Sequence, residues 1–161
     1  MKNLPIMRMK TNAKLPERKT PGSVGYDIAA CLDDEITIAP GETHMVGSGL
    51  IIALEPGYAA FLYARSGLGI KQGIIPANCV GVIDSDYRGE IIVGLKNTSN
   101  TSFNVKDGDR IAQMVIAKCE LPDIILCDDL EETTRGDGGF GSTGTGTKKD
   151  RAGSEKGKSR D

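Results

Sequence analysis

The chain has no tryptophan and only one histidine, His44, and aromatic residues make up 4% of its 161 residues. Its four cysteines, Cys31, Cys79, Cys119 and Cys127, include no C-x-x-C pair. A zinc deaminase site needs a histidine together with such a pair, so this inventory excludes it, and no Cys/His cluster of the usual metal-binding spacing occurs either. We interpret the cysteines as free thiols in a reducing compartment that serve as small, buried apolar residues.

The sequence also lacks a strong basic charge and a long apolar run. Its formal net charge is −2 and its pI is near 5.5, whereas binding to a nucleic-acid backbone depends on many Lys and Arg contacts. The apolar runs are far too short to span a membrane, and the N-terminus has no signal-peptide stretch. We therefore expect no nucleic-acid or membrane partner and a cytoplasmic location, or a nuclear one if the source is eukaryotic or viral. A mononucleotide, which needs only a local cluster of donors, remains a suitable ligand.

Short strand signals, separated by Gly, Pro, Asn and Asp, recur along the chain and indicate an all-β barrel or sandwich. A single domain fits the length. The one helix candidate is a short piece over residues 66–72. Strands are predicted over residues 6–9, 26–30, 35–38, 45–54, 58–63, 80–83, 90–95, 110–117 and 124–126.

The most informative segment is residues 135–144, where one cation, one aromatic ring, two hydroxyls and five glycines stand together. Backbone N–H groups of such a segment can surround a polyanion while the Phe140 ring covers a flat base. The spacing Gly139-x-Gly141-x-x-Gly144 also satisfies the dinucleotide-binding pattern, but that pattern requires a following helix, and only a polar tail follows here. The segment predicts a flexible nucleotide lid; a plain Gly/Ser/Thr linker is the alternative.

Three further segments carry groups suited to a nucleotide. Ser66 and Gly67 open the predicted helical turn, where free N–H groups favour phosphate oxygens, although a simple Ser-capped turn is the alternative. Asn78 offers an amide that suits the edge of a pyrimidine. Asp84 follows a buried strand, and its carboxylate suits a base that accepts a proton from water; a simple turn residue is the alternative. Gln113 interrupts an apolar strand, so its amide needs a protein partner or a ligand phosphate.

Taken in order and spacing, five blocks resemble the five motifs of the trimeric dUTP pyrophosphatases (dUTPases). The resemblance implies a jelly-roll-like β domain over residues 1–134, a Gly-rich lid over residues 135–144, and a homotrimer with shared active sites. Residues 145–161 are nearly all charged, small or polar and are predicted to be disordered. The blocks are residues 21–27, 64–68, 81–89, 108–113 and 135–144.

The resemblance also implies Mg²⁺-dependent hydrolysis of dUTP to dUMP and pyrophosphate, which limits uracil incorporation into DNA and supplies dUMP for dTMP synthesis. By this likeness Asp84 is the general base for a water aimed at the α-phosphorus, and Asp27 holds water molecules of the Mg²⁺ shell. Asn78 reads the uracil edge, and Tyr87 lies flat against the sugar and excludes a 2′-hydroxyl. The resemblance further implies that Ser66, Gly67 and Gln113 contact the phosphates, with Arg65 as a supporting cation. Phe140 is implied to stack on uracil. The γ-phosphate is implied to be bound by Arg135, Gly141, Ser142 and Thr143.

Two other functions are compatible with such a fold. A dCTP deaminase shares part of the third block, but its glutamate stands ten positions after the aspartate that corresponds to Asp84, and Gly94 occupies that position here. A non-catalytic nucleotide sensor would need neither Asp84 nor the Arg135 and Phe140 pair. Asp137 stands where many family members carry Ser, and we leave it out of the site.

Overall fold

The computed structural model describes residues 1–78 and 80–139, which divide into two units, one over Met1–Pro122 and one that begins at Asp123. In the described part of the first unit, all strand pairings are antiparallel. The elements are β1 (Ile6–Arg8), β2 (Tyr26–Ala29), β3 (Ile36–Ile38), β4 (Thr43–Gly47), β5 (Leu50–Ile52), β6 (Tyr58–Tyr63), α1 (Ser66–Gln72), β7 (Ile74–Pro76), β8 (Gly81–Ile83), β9 (Ile92–Asn97), β10 (Phe103–Val105) and β11 (Arg110–Lys118).

The strands form a four-stranded sheet in the order β2-β11-β6-β8 and a three-stranded sheet in the order β4-β9-β7. Two further pairs, β1-β5 and β10-β3, complete the layers. Alternate residues of these strands enter one apolar core, in which Ile28, Ile38, Leu95 and Met114 are fully buried. Burial of such side chains is the main force that holds the layers together. The all-β prediction is confirmed, and α1 spans the predicted residues.

Several strand predictions need correction. The segment 45–54 is two strands, β4 and β5, because the chain turns at Gly49, whose φ of 67° breaks the extended backbone. The strands β7 and β10 were not predicted, since β7 ends at Pro76 and β10 follows a run of polar residues over 97–102, and both features indicate a turn or loop. The strand β9 spans Ile92–Asn97 rather than the predicted residues 90–95.

The predicted strand over residues 124–126 is wrong. This segment belongs to the second unit and contains no strand there. Ile124 and Leu126 are 98% and 99% exposed, so their apolar character does not reflect burial within the chain. A strand needs a hydrogen-bonded neighbour, and the described residues supply none to this segment.

The cysteine prediction is confirmed only in part. Cys31 is a buried free thiol, and burial raises its pKa. Cys127, in contrast, is exposed, so its prediction as a buried apolar residue is wrong. It directly follows the segment over residues 124–126 that lacks a neighbouring strand. Cys79 lies outside the described residues.

Asn97 at the end of β9 is a fully buried polar residue whose amide ties three segments together. Its Nδ2 donates to the carbonyl oxygens of Ile38 and Thr101 at 2.9 and 2.7 Å. Its Oδ1 accepts from the backbone N–H and the hydroxyl of Ser99 at 2.9 and 2.8 Å. Every polar atom of the side chain is therefore satisfied without water, which makes this amide a specific connection between β3, β9 and the loop before β10.

We expect Asn97→Ala to lower the free energy of unfolding by about 2–4 kcal/mol, because the substitution leaves buried carbonyl and N–H groups without partners. Urea unfolding followed by circular dichroism measures the change. The control is Asn104→Ala, since Asn104 accepts one bond from Thr37 on the surface and should cost less than about 1 kcal/mol. Equal losses in the two variants would contradict a structural role for the buried amide.

Candidate functional site

Two separate pockets of the first unit contain residues singled out from the sequence. The first, called the cationic pocket, is a cavity of about 480 Å³. It collects Asp27, Arg65, Ser66, Gly67 and Gln113 from different parts of the chain. Its lining residues are Lys19, Gly22, Ser23, Val24, Gly25, Asp27, Arg65, Ser66, Gly67, Arg110 and Gln113.

The strand register explains why these distant residues meet. Gln113 of β11 stands opposite Asp27 of β2 and opposite Tyr63, the last residue of β6. A register shift lies between Arg110 and Ala112, so that Arg110 stands opposite Ala29. In a regular strand Arg110 and Gln113 would point to opposite faces, whereas the extra residue of this bulge places both on the face of Asp27. The bulge thus adds a second arginine to the pocket.

Asp27 joins the two arginines of the cationic pocket. Its Oδ1 accepts from Arg65 Nε at 2.8 Å, and its Oδ2 accepts from an Arg110 guanidinium N–H at 2.9 Å. Burial acts to raise the pKa of Asp27, but the hydrogen bonds from Arg110 and Arg65 outweigh it and lower the pKa below its ordinary value. Two cations around one carboxylate leave a net positive charge, which suits an anionic ligand although the whole chain is acidic.

The amide of Gln113 is held by the protein. Its Nε2 donates to the carbonyl oxygen of Ala64 at 2.9 Å, which is the protein partner that the sequence left open as one alternative. Gly25 makes room for this side chain, because a Cβ at that position would stand 2.8 Å from Gln113 Oε1. The amide therefore has a fixed orientation beside the loop that carries Arg65 and Ser66.

Ser66 and Gly67 form the first turn of α1. The preceding residue, Arg65, has extended backbone angles and makes no side-chain cap. Consequently, the first N–H groups of the helix are not covered by a capping side chain, and Ser66 and Gly67 are both exposed. Arg65 also donates to the carbonyl oxygen of Arg110 at 3.2 Å, which fixes its guanidinium beside this turn.

The second cavity, called the hairpin pocket, has a volume of about 280 Å³ and lies around the connection from β8 to β9. It brings together Asn78, Asp84 and Tyr87, which the resemblance assigns to the base, the water and the sugar. Asp84 is exposed, so its carboxylate is accessible to water. The lining residues are Met45, Leu62, Asn78, Gly81, Val82, Ile83, Asp84, Tyr87, Glu90, Ile91 and Ile92.

The connection between β8 and β9 is a defined turn. The Tyr87 N–H donates to the carbonyl oxygen of Asp84 at 3.2 Å, as expected of a β-turn that begins with Asp. The Arg88 guanidinium donates to the carbonyl oxygens of Ser85 and Tyr87 at 2.7 and 2.8 Å. These bonds order the turn and hold Asp84 and Tyr87 on the same short loop.

The two pockets share no lining residue, and they lie toward opposite ends of β6. Ile83, which precedes Asp84, stands opposite Ala60 near the start of β6, whereas Gln113 stands opposite Tyr63 at its end. The strands β8 and β11 also flank β6 on opposite sides. With strand rises of about 3.3 Å per residue and strand spacings of about 4.8 Å, the backbones of Asp84 and Gln113 are roughly 16 Å apart. One chain does not bring these predicted site residues together.

In the second unit, Arg135 lies in a turn over residues 134–137. Its Nε donates to the carbonyl oxygen of Gly138 at 2.8 Å, and Gly136 adopts a φ of 53°. The predicted lid residues Phe140, Gly141, Ser142 and Thr143, and the tail over residues 145–161, lie outside the described residues.

Sequence reasoning missed three charged residues of the two pockets, which are Lys19, Glu90 and Arg110. Arg110 lies within the fourth block, but its position beside Asp27 depends on the bulge in β11, which the sequence does not reveal. Glu90 directly follows the third block, and its contact with Gly49 joins segments that are far apart in sequence. Both contacts join segments that are distant in the sequence, so only the folded structure reveals them.

Residues 1–78 and 80–139 contain neither a helix that could span a membrane nor a preformed cluster of metal-binding side chains. No helix among them is long and apolar enough to cross a membrane. The same residues contain no group of three or more His, Cys, Asp or Glu side chains able to hold a metal ion.

Comparison with known proteins identifies relatives over most of the chain. A family model described as dUTPase matches residues 11–144. The chain is 54% identical over 132 residues to a deoxyuridine 5'-triphosphate nucleotidohydrolase of Desulfitobacterium hafniense (strain DSM 10664 / DCB-2), a match that covers 81% of this chain and 87% of that protein.

Solved structures agree with the sequence match. The dUTPase of Staphylococcus bacteriophage 80alpha with dUPNHPP has a TM-score of 0.82 and 25% identity, over 89% of this chain and 99% of that one. A mutant dUTPase from phage phi11 of S. aureus, a structure concerned with the coordination of a structural Mg(II) ion, has a TM-score of 0.74 and 22% identity, over 81% of this chain and 99% of that one. These similarities confirm the predicted jelly-roll-like, dUTPase-type β fold.

Proposed function

Because the chain belongs to the dUTPase family and is an enzyme that hydrolyses dUTP, we propose that water attacks the α-phosphorus of dUTP with Asp84 as the general base. The oxygen of the water forms the new bond to phosphorus, and the bond to the oxygen that bridges the α- and β-phosphates breaks. The water proton passes to Asp84, and dUMP and pyrophosphate leave. The observation that carries this proposal is the exposed Asp84 carboxylate in the hairpin pocket beside Asn78 and Tyr87.

The hairpin pocket would select the nucleoside. An amide donates and accepts, so Asn78 suits the uracil edge and would leave cytosine with mismatched groups. Tyr87 would lie against the deoxyribose and exclude a 2′-hydroxyl. The pocket is also lined by apolar residues of β8 and β9, which favours a neutral base over a phosphate.

The cationic pocket would bind the triphosphate. Ser66, the Gly67 N–H, Gln113 and Arg65 present donors on one side of a cavity with net positive charge, and such fixed donors stabilise charge that develops during phosphoryl transfer. Phosphate oxygens would compete for donors that Asp27 and Ala64 now satisfy in part. By the resemblance to the dUTPases, the lid residues would close over the base and the γ-phosphate; these residues are Arg135, Phe140, Gly141, Ser142 and Thr143.

Mg²⁺ is compatible with the cationic pocket if it is bound there through the water molecules of its own hydration shell. When bound, Mg²⁺ would supply positive charge that withdraws electron density from the phosphates. Mg²⁺ keeps several waters and commonly binds through substrate phosphates rather than through a protein cage. Each Asp27 oxygen accepts one arginine N–H, and a carboxylate oxygen has room for a further bond. Asp27 would therefore hold metal-bound water. A structural Mg(II) ion is the subject of the similar mutant dUTPase structure from phage phi11 of S. aureus.

We expect Asp27→Asn to raise the Mg²⁺ concentration needed for half-maximal activity by about tenfold, because a neutral amide holds metal-bound water more weakly than a carboxylate does. Activity titrated with MgCl₂ at saturating dUTP measures the change. The control Asp33→Asn removes the same charge from the surface pair with Lys10 and should leave the titration unchanged. A higher KM for dUTP with an unaltered Mg²⁺ requirement would instead limit Asp27 to holding Arg65 and Arg110.

The separation of the two pockets supports active sites shared between copies of the chain, and the resemblance to the dUTPases implies that these copies form a homotrimer. Asp84 and Gln113 lie toward opposite ends of β6, so a single chain leaves the water-activating group and the phosphate donors apart. We propose that copies of the chain pair the hairpin pocket of one with the cationic pocket of another. Sedimentation equilibrium of the purified chain tests this, with a trimer expected and a monomer that retains full activity contradicting it.

A release assay with dUTP, dCTP, dTTP and UTP tests the proposed activity. We expect pyrophosphate from dUTP alone. Ammonia from dCTP would identify a deaminase instead, although Gly94 occupies the position of the deaminase glutamate. Tight binding of dUTP without turnover would identify a sensor. An active chain would limit uracil incorporation into DNA and supply dUMP for dTMP synthesis, and the bacterial relatives support a cytoplasmic role.

A further inference from the structure

The aromatic ring of Tyr87 is set by two residues that follow it closely on the chain. The Tyr87 hydroxyl donates to the backbone carbonyl oxygen of Glu90 at 3.0 Å. The ring lies across Gly89 so closely that a Cβ at Gly89 would overlap the Tyr87 hydroxyl and ring carbons. The orientation of the Tyr87 ring thus depends on the absence of a side chain at Gly89 and on the Glu90 carbonyl oxygen that accepts its hydrogen bond.

The side chain of Glu90 fixes the position of that acceptor. Its Oε1 accepts from the Gly49 N–H at 2.6 Å and ties the β8–β9 connection to the turn between β4 and β5. The next residue continues the attachment, because Ile91 N–H donates to the Leu50 carbonyl oxygen at 2.8 Å. A short bond between a carboxylate and a backbone N–H is among the stronger hydrogen bonds in proteins. The Glu90 carbonyl therefore stands at a defined place in the hairpin pocket.

We propose that Gly89 and Glu90 are positioning residues that set how strictly the enzyme rejects a ribonucleotide. This inference rests on the proposed role of Tyr87 against the deoxyribose. Gly89 lets the ring lie flat along the loop, and the Glu90 carbonyl holds the hydroxyl so that the ring does not swing outward. A ring released from either restraint leaves space for a 2′-hydroxyl, and UTP becomes a substrate.

Gly89→Ala is the sharpest test, because it displaces the ring at little cost to the fold. Gly89 does not have a positive φ, so alanine can adopt its backbone angles. The atoms that a Cβ would meet are at the end of the Tyr87 side chain, which can move. We expect the ratio of kcat/KM for dUTP to kcat/KM for UTP to fall by about tenfold, a change of about 1.4 kcal/mol, with the melting temperature nearly unchanged.

Substitutions of Glu90 test the second restraint. Glu90→Ala removes the bond to Gly49 and should lower the same ratio by several-fold, whereas Glu90→Gln keeps an oxygen acceptor and should restore most of it. The matched control is Glu42→Ala. Glu42 also accepts from a backbone N–H, that of Ala39 at 3.0 Å, but it lies outside the hairpin pocket, so its loss should lower stability without changing the ratio.

The outcomes separate this inference from the proposed function. Should the wild-type chain fail to hydrolyse dUTP, the proposed function falls, and the inference falls with it. Should the wild-type chain prefer dUTP over UTP while Gly89→Ala and Glu90→Ala keep that preference, the inference alone is overturned. A lower melting temperature with an unchanged ratio would assign both residues a purely structural role.

Discussion

Asp84→Asn is expected to reduce kcat for dUTP by about 10²–10⁴-fold while leaving the affinity for dUTP largely intact. Asparagine has the shape of aspartate but accepts no proton at neutral pH, so the water keeps its proton while the nucleotide contacts persist. Asp84 is exposed in the hairpin pocket, where the loss of one charge should disturb the fold little. Single-turnover kinetics and calorimetric binding of dUTP measure the two effects separately.

The control for this variant is Asp86→Asn, which alters a carboxylate on the same turn, two residues further along. We interpret Asp86 as a turn residue, so its loss should change kcat by less than a few-fold. An Asp84→Asn enzyme with wild-type kcat would exclude Asp84 as the base. Loss of dUTP binding together with turnover would assign Asp84 to the binding of substrate.

The second large effect is expected from mixtures of two inactive chains. One chain carries Asp84→Asn in the hairpin pocket, and the other carries Arg65→Ala with Ser66→Ala in the cationic pocket. Each should be nearly inactive alone. In co-assembled oligomers, an intact hairpin pocket of the second chain meets an intact cationic pocket of the first, and random assembly should restore about a quarter of wild-type activity. The measurement is the dUTPase rate of co-refolded mixtures.

The same mixture without refolding is the control, because chains that do not exchange form no mixed oligomers. Sites built within single chains would give no recovery, since every chain then carries one defective pocket. This outcome would contradict the interpretation drawn from the opposite positions of Asp84 and Gln113 along β6. The recovery therefore distinguishes a shared site from two independent pockets more sharply than the oligomeric state does.

The parts of the fold that sequence could predict are those with strong local signals. Strand β6 and helix α1 have the predicted bounds, because an apolar run followed by a Ser-Gly turn is visible in a single segment. The strands β7 and β10 were missed, since Pro76 and the polar run over residues 97–102 are local signals for a turn or loop. The strand over residues 124–126 was wrong, because an apolar run does not reveal whether a partner strand lies within the same chain.

The candidate site also contains some contacts that the local sequence predicts and others that it does not. Asp84, Asn78 and Tyr87 stand close together in the sequence, and the structure places them in one pocket. The pairing of Asp27 with Arg110, in contrast, depends on a bulge in β11 that no local pattern announces. Likewise, the role of Glu90 depends on its bond to Gly49 across the fold. Contacts between segments that are distant in the sequence, rather than local residue type, determine these pairings.

The most direct test of the whole account is a crystal structure of the chain with Mg²⁺ and a non-hydrolysable dUTP analogue such as dUPNHPP. We expect the Asp84 carboxylate of one protomer to hold a water in line with the α-phosphorus, with Ser66 and Gln113 of another protomer on the phosphates. A complex in which Asp84 is remote from that phosphorus, with no phosphate near Ser66 or Arg135, would contradict the account.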